Sequence, residues 1–286
     1  MKKFYTLTPV SLALILIMIM AGCGKKMTSA TSNAVNLKYG FSGDESYSYL
    51  QESQIIQTIV FGGQEVSTTI KTDMGFTASS KGVTDGSLGL DITIDTLGLT
   101  VNSMAGNITE DIDDLKGKSF YMTMNTKGED QNLDEAEKLT YTIAGMSTSN
   151  LKAGFIMIFP ELPGENIQPG FTWEDTDTIN IDTDTETLEM ITLSKNTVES
   201  IEEVSGYECY KISYQVSGTR DGSSQNPQGM IITNSDISGT GYYYFAFKEG
   251  ILVSDHSDIK SDGTVVIPTG ESIPMYMTMA VDMKVF

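Results

Sequence analysis

The chain has 286 residues, and its 38 acidic side chains outnumber 18 basic ones, which gives a formal net charge of −20 at pH 7. Nucleic-acid binding needs clustered positive charge to displace counterions, so this composition excludes nucleic acid as a partner. It also disfavours flat docking of the protein body on anionic lipid head groups.

The first element in chain order is a targeting segment, which we predict to span residues 1–22. Two early lysines precede an apolar stretch at residues 10–20 that only Ser11 interrupts. This stretch suits a signal peptide and is shorter than the roughly 20 residues that a helix needs to cross a bilayer. Two small residues then lead directly to Cys23.

The residues around Cys23 read "MIMAGCGKK" and resemble the lipobox of bacterial lipoproteins, in which a dedicated peptidase cuts just before a cysteine that carries a diacylglycerol. Met20 departs from that pattern, which usually has Leu or another branched aliphatic residue there. The resemblance implies a chain anchored to a membrane by a diacylglycerol and an N-acyl lipid such as palmitate on Cys23. Two or three acyl chains hold a protein stably where one does not. The alternatives are an uncleaved membrane anchor and an ordinary secretory signal.

With this anchor, residues 23–35 are the lipidated N-terminus and a tether, and residues 36–286 are an extracytoplasmic domain. In a bacterium with two membranes we expect the outer membrane, because Gly24 is not the aspartate associated with inner-membrane retention. If Cys23 is acylated, Cys209 is a lone thiol; if Cys23 is free, the two cysteines of an exported protein are expected to pair. We expect acylation, with Cys209 as an inert thiol.

Apolar and polar residues alternate in several runs of the domain. Leu90, Ile92 and Ile94 share one face of such a run, and residues 275–285 place Met and Val on one side of another. Alternation with a period of two predicts half-buried antiparallel strands.

Turn signals separate these runs. Gly62-Gly63 predicts a tight hairpin between two strands. Asp262-Gly263 predicts a further turn, and the stretch "SGTRDGSSQNPQG" at residues 217–229 predicts an exposed loop, because turn residues occur throughout it.

Residues 131–164 break the β pattern. The segment begins with good helix formers and contains Pro160 and Pro163, which predicts one or two short helices followed by a linker. We therefore predict a mainly β fold, an antiparallel curved sheet or open half-barrel of two related halves at about residues 36–130 and 165–286. Short helices lie between the halves.

Four stretches are similar to successive motifs of a bacterial lipoprotein family that is catalogued as a domain of unknown function. They read "GDESYSY", "LKGKSFYMTMNTKG", "FPELP" followed by "QPGFTW", and "GYYYFAFKEGILVSD". The resemblance spans most of the mature chain. It implies a predominantly β, exported and anchored protein, and it carries no catalytic residue onto this sequence.

The sequence offers little for catalysis or metal binding. His256 is the only histidine and has no G-x-S-x-G partner motif, so we expect a surface residue and no zinc site built on several imidazoles. Asp182, Asp184 and Glu186 have the spacing that begins a calcium loop, but Thr187 occupies the position that requires glycine. We expect a solvated strand face or loop, no metal and no cofactor besides the lipid.

Methionines cluster on two predicted strand faces, at Met122 and Met124 and at Met275, Met277 and Met279. Three interpretations remain open: ordinary core packing, a deformable cavity for an apolar ligand, and a Cu(I) site built from thioethers. Core packing is the commonest of these.

Two functional hypotheses follow. The first is a non-enzymatic, membrane-anchored module that binds an unknown ligand or envelope protein or supports the envelope. The second is a carrier or chaperone for lipids or other apolar molecules, held in a cavity lined by Met and Tyr. The absence of a catalytic motif makes an enzyme the least favoured reading.

Overall fold

The structure is a computed structural model that describes residues 34–41, 46–104, 106–142, 148–182, 186–226 and 229–286. Ala34–Phe286 forms one compact unit. The predicted signal peptide, the lipidation site Cys23 and most of the tether lie outside the described residues. No helix within those residues has the length and apolar character needed to span a membrane.

The described residues form sixteen strands, two short α-helices and one 3₁₀ turn at Asp113–Leu115. The helices are α1 (Asp134–Lys138) and α2 (Lys152–Phe155). The strands are β1 (Val35–Asn36), β2 (Ser46–Phe61), β3 (Gln64–Thr84), β4 (Ser87–Ser103), β5 (Gly106–Asp111), β6 (Ser119–Asn125), β7 (Asp130–Asn132), β8 (Thr140–Thr142), β9 (Thr148–Asn150), β10 (Asn166–Ile167), β11 (Thr172–Asp182), β12 (Glu186–Val204), β13 (Tyr207–Asn226), β14 (Gly229–Ala246), β15 (Ile251–Val266) and β16 (Ser272–Val285).

Twelve of these strands form one antiparallel sheet in the order β11-β12-β13-β14-β15-β16-β2-β3-β4-β6-β7, with β5 paired to the far end of β4. The sheet is open, with β11 at one edge. Small two-stranded ladders, β1–β10 and β8–β9, lie outside it. The predicted mainly β, antiparallel fold with short helices in the middle of the chain is confirmed.

Strands from both predicted halves contribute to this single sheet. The first half supplies β2 to β7 and the second supplies β11 to β16, and the two groups join where β16 pairs with β2. An evolutionary relationship between the halves stays a prediction.

Two predicted turns are wrong. Residues 217–226 are the extended end of β13, Gly229 begins β14, and Gly263 lies inside β15. A Cβ added to Gly218 would collide with the Ile191 carbonyl oxygen on the neighbouring strand, and one added to Gly263 would collide with that of Asn234. Glycine marks close backbone approach between neighbouring strands here, instead of a turn.

A covering segment, residues 151–164, packs over one end of one face of the sheet, which we call the inner face. Phe155 of this segment packs edge-on against Phe76 and Phe120, with ring centroids 5.2 and 4.9 Å away. Phe159 contacts the Tyr49 ring at 5.9 Å. The main aromatic core lies between this segment and the sheet because these rings leave water together.

Hydrogen bonds to Tyr39 and to Lys127 hold the covering segment in place. The Tyr39 hydroxyl donates a hydrogen bond to the Pro160 carbonyl at 2.9 Å, and the backbone N–H of Leu162 donates to the Lys127 carbonyl at 2.7 Å. The last part of the predicted helical segment, residues 151–164, thus covers one end of the inner face. The strands continue beyond it.

Candidate functional site

A row of inner-face side chains crosses the sheet beyond the covering segment. Residues that face each other in an antiparallel register share a face, so the strand pairing defines this row. From β11 to β5 it reads Asp175, Ser194, Val216, Gly239, Ile259, Met279, Ile55, Ile70, Val101 and Ile108.

The apolar members of this row form what we call the apolar strip: Val216, Ile259, Met279, Ile55, Ile70, Val101 and Ile108. All but Val101 are half-buried, so water reaches them, and none of the seven belongs to the main core cluster. Partly exposed apolar surface that is contiguous and rimmed by polar groups marks a ligand or partner site more often than scattered apolar residues do.

The five predicted methionines lie in two separate places. Met122 and Met124 on β6 are fully buried in the main core. Met275, Met277 and Met279 share the inner face of β16, where Met279 belongs to the apolar strip. Because β2, β3 and β4 separate the two groups, they do not line one common surface.

Three carboxyl groups meet at the β11 end of the strip. Asp175 and Asp177 project from the inner face of β11, Glu161 projects from the covering segment, and one oxygen of each lies within 4.8 Å of the others. Burial and the hydrogen bond with Asp175 raise the pKa of Glu161 to about 8. Burial and the charge of Asp175 also raise the pKa of Asp177.

Two phenols and a further carboxyl group lie beside these acids. Asp255 is the register partner of Tyr243, and Tyr214 donates a long hydrogen bond of 3.5 Å to the Asp255 carboxylate. Burial raises the pKa of Asp255 to about 7. The Tyr243 side chain is 1% exposed, and its hydroxyl has no hydrogen-bond partner among the described residues.

Acids on both β15 and β11 act electrostatically on the Tyr243 phenol. Burial raises the pKa of the Tyr243 phenol well above its ordinary value, and the nearby charges of Asp255 and Asp175 raise it further. Trp173 occupies the same face of β11 as Asp175, and its indole N–H is also buried without a partner. Buried donors in native proteins nearly always have partners, so these two call for water or a ligand.

We call Glu161, Asp175, Asp177, Tyr214, Tyr243, Asp255 and Trp173 the polar cluster. Trp173 and Tyr214 also line a depression of about 830 Å³, whose other lining residues lie mostly on the outer face of the sheet, among them Glu174, Lys195 and Gln215. Carboxylate oxygens at this spacing could hold a hard cation or an ammonium group. Nothing in the cluster combines a nucleophile with a base in the manner of a hydrolase.

Two of the three acidic residues whose spacing resembles the start of a calcium loop lie at the ends of two different strands. Asp182 ends β11 and Glu186 begins β12, whereas Asp184 lies outside the described residues. The acids that the fold does bring together are Asp175, Asp177 and Glu161. Sequence reasoning missed Glu161 because fourteen positions separate it from Asp175 and nothing in the motif "FPELP" points to β11.

His256 lies on the outer face, as expected of a surface residue. Its Nδ1 is 2.7 Å from an Asp282 oxygen and its Nε2 is 3.3 Å from Asp258. The hydrogen bond to Asp282 raises the pKa of His256. Its ring is tilted against that of Tyr242, with the centroids 5.3 Å apart, and its backbone N–H donates a hydrogen bond to the Asp255 carboxylate of the polar cluster.

Comparisons with known proteins add little to this geometry. No protein-family model matches the chain, and no curated protein matches it. Among solved structures, the chain is similar to a DUF1329 family protein from Desulfovibrio piger, with 9% sequence identity and a TM-score of 0.15. The match covers 82% of this chain and 85% of that chain. A likeness this weak supports no argument about function.

Proposed function

We propose that this protein is a lipid-anchored, extracytoplasmic binding protein that holds an apolar small molecule against the inner face of its sheet. The apolar strip is the observation that carries the proposal. The lipobox-like sequence at Cys23 supports the location, and the lack of a catalytic constellation among the described residues supports a non-enzymatic role.

The strip suits binding because its side chains are apolar and only half-buried. Water contact with such side chains is unfavourable, and covering them with a ligand releases about 25 cal/mol for each Å² removed from water. Met279 can adjust its shape to different ligands, since its side chain is unbranched and polarizable. The covering segment leaves this part of the face free for a ligand.

The experiment uses the mature chain with Cys23→Ser, which removes the lipid and leaves the described residues unchanged. Binding is measured by the fluorescence of N-phenyl-1-naphthylamine, an apolar dye that brightens in a non-aqueous site. Met279→Glu places a charge in the strip, and we expect it to weaken dye binding about tenfold or more, because a buried unpaired charge is strongly unfavourable.

Thr278→Glu is the matched control, because Thr278 is the neighbouring residue on β16 and is exposed on the opposite face. It should bind the dye like the parent chain. If the parent binds no dye, or if both glutamate variants bind equally, the strip is not a binding site. In that case a purely structural role in the envelope is favoured.

A further inference from the structure

We propose that the polar cluster binds a positively charged ammonium group, so that the ligand of this protein is a cationic amphiphile. This inference rests on the proposed function, because the hydrocarbon part of such a ligand would lie on the apolar strip. It names the class of ligand that the inner face selects.

The charges at this end of the strip are unbalanced. Glu161, Asp175 and Asp177 form no ion pair with a lysine or arginine among the described residues. Three carboxyl oxygens so close together repel one another once they are ionised. A cation that reaches them relieves this repulsion, and an ammonium group can donate hydrogen bonds to several carboxylates at once.

The unpaired hydroxyl of Tyr243 is a second and independent indication of a ligand. This side chain is almost entirely buried, and the electric fields of both Asp255 and Asp175 act on its phenol. The hydroxyl stays protonated and can accept a hydrogen bond from an ammonium N–H while it donates to a carboxylate. It therefore supplies the acceptor that a cationic head group needs within the cluster.

Aromatic rings favour an organic cation over a metal ion. Trp173 shares the inner face of β11 with Asp175, its ring centroid lies 6.1 Å from that of Phe171, and the Tyr214 hydroxyl donates to Asp255. Faces of Trp and Tyr attract ammonium groups through the ring quadrupole. Calcium instead takes six to eight oxygen ligands, and three carboxyl groups converge here among the described residues.

The position of the cluster matches the shape of an amphiphile. Asp175 and the apolar strip belong to the same row of register partners, so the head-group site and the strip are continuous. From Val216 on β13 to Ile108 on β5 the row makes seven interstrand steps, about 33 Å along the curved surface at the usual strand spacing. This length accommodates an extended alkyl chain.

The test compares three ligands that share one chain, dodecylammonium, dodecanol and dodecanoate, each below the concentration at which it forms micelles. Each displaces N-phenyl-1-naphthylamine from the mature chain with Cys23→Ser. We expect dodecylammonium to bind about tenfold more tightly than dodecanoate, with dodecanol between them, because a few close charges change affinity by that order.

Asp175→Asn/Asp177→Asn should weaken dodecylammonium binding about tenfold and leave dodecanol binding unchanged. The control Glu189→Gln/Asp236→Asn removes the same net charge from exposed positions. It should preserve the preference for dodecylammonium over dodecanoate. Tyr243→Phe should weaken dodecylammonium binding alone. Thermal unfolding of each variant checks that it is folded.

The outcomes separate the two proposals. If no dodecyl ligand binds, the proposed function fails. If the three ligands bind equally, or if both double variants lose the preference alike, the strip binds ligands but the ammonium site is wrong. A third outcome concerns calcium, measured by calorimetry. If the parent chain binds calcium, the variant Asp175→Asn/Asp177→Asn does not, and both bind dodecylammonium equally, then the cluster is a metal site and the inference is overturned.

Discussion

The ring of Tyr214 lies against the backbone of Gly241, its register partner on the adjacent strand. A Cβ at Gly241 would collide with this ring and also approach the His256 carbonyl oxygen. The space left by the missing side chain lets Tyr214 lean across β14 and reach the Asp255 carboxylate. One glycine thus contributes both to the close packing of adjacent strands and to the geometry of the polar cluster.

Gly241→Ala is therefore expected to displace Tyr214 and to lower the free energy of unfolding by about 1–3 kcal/mol, because overpacking forces side chains or backbone to move. Urea denaturation measures the loss. Gly154→Ala is the control, since a Cβ at Gly154 meets nothing within 4 Å. A Gly241→Ala variant as stable as the control would show that Tyr214 can be moved without cost.

Phe159 anchors the covering segment. It is 1% exposed, and its ring lies 5.7 Å from Tyr39, 5.7 Å from Phe41 and 5.9 Å from Tyr49. We expect Phe159→Ala to reduce the free energy of unfolding by about 3–5 kcal/mol, because it removes buried area and leaves a cavity.

Phe61→Ala is the matched control for this substitution. Phe61 is 52% exposed at the end of a hairpin strand, so its removal should change the free energy of unfolding by less than about 0.5 kcal/mol. Equal losses in the two variants, measured by urea denaturation, would contradict the assignment of Phe159 to the core.

Local patterns predict the strands of this fold well. Leu90, Ile92 and Ile94 alternate with polar residues and are all fully buried, because a strand with one covered face needs that period. Gly62 and Gly63 have φ of 59° and 80°, the positive values that the tight hairpin requires. In each case the cause acts within a few residues, so the sequence displays it directly.

Structural features that depend on contacts between distant parts of the chain cannot be read from local sequence patterns. The glycines of residues 217–229 resemble a loop because glycine is depleted in ordinary strands. Here they serve the close approach of strands that are distant in sequence. The candidate site is hidden for the same reason, since Glu161 meets Asp175 only after the covering segment folds over the edge of the sheet.

Cys209 should be chemically inert in the folded protein. The side chain is 0% exposed, and burial raises the pKa of its thiol to about 12. Because thiolate is the reactive form, we expect no reaction with Ellman's reagent in native buffer and one thiol per chain in guanidinium. The Cys23→Ser chain is used so that Cys209 supplies the whole signal. Fast reaction in native buffer would mean that this part of β13 opens readily.

Cys23→Ser in the full-length protein should release it from membranes and remove the acyl mass from the mature chain. The reason is that two or three acyl chains, each stabilised by about 0.8 kcal/mol for every buried CH₂, supply the anchor. Membrane fractionation and mass spectrometry of the intact protein measure both effects. Cys209→Ser should remain membrane-bound. A Cys23→Ser protein that stays in the membrane with unchanged mass would refute lipidation.

The raised pKa values of Glu161 and Asp255 make stability depend on pH. In the unfolded chain Glu161 titrates near 4.5 and Asp255 near 3.8, whereas in the folded protein their pKa values are about 8 and about 7. Between these values the folded state binds more protons than the unfolded state. The free energy of unfolding therefore falls as pH rises from about 4 to about 8 and levels off above that range.

Glu161→Gln tests this relationship, because glutamine cannot titrate and keeps the size of the side chain. We expect the decrease in the free energy of unfolding from about pH 5 to about pH 9 to be smaller in Glu161→Gln than in the parent chain. Asp177 and Asp255 also have raised pKa values, so part of the decrease should remain. Glu189→Gln removes an exposed charge and should retain the parent slope. Urea denaturation at each pH measures the slopes, and equal slopes in Glu161→Gln and Glu189→Gln would show that the carboxyl cluster does not govern the response.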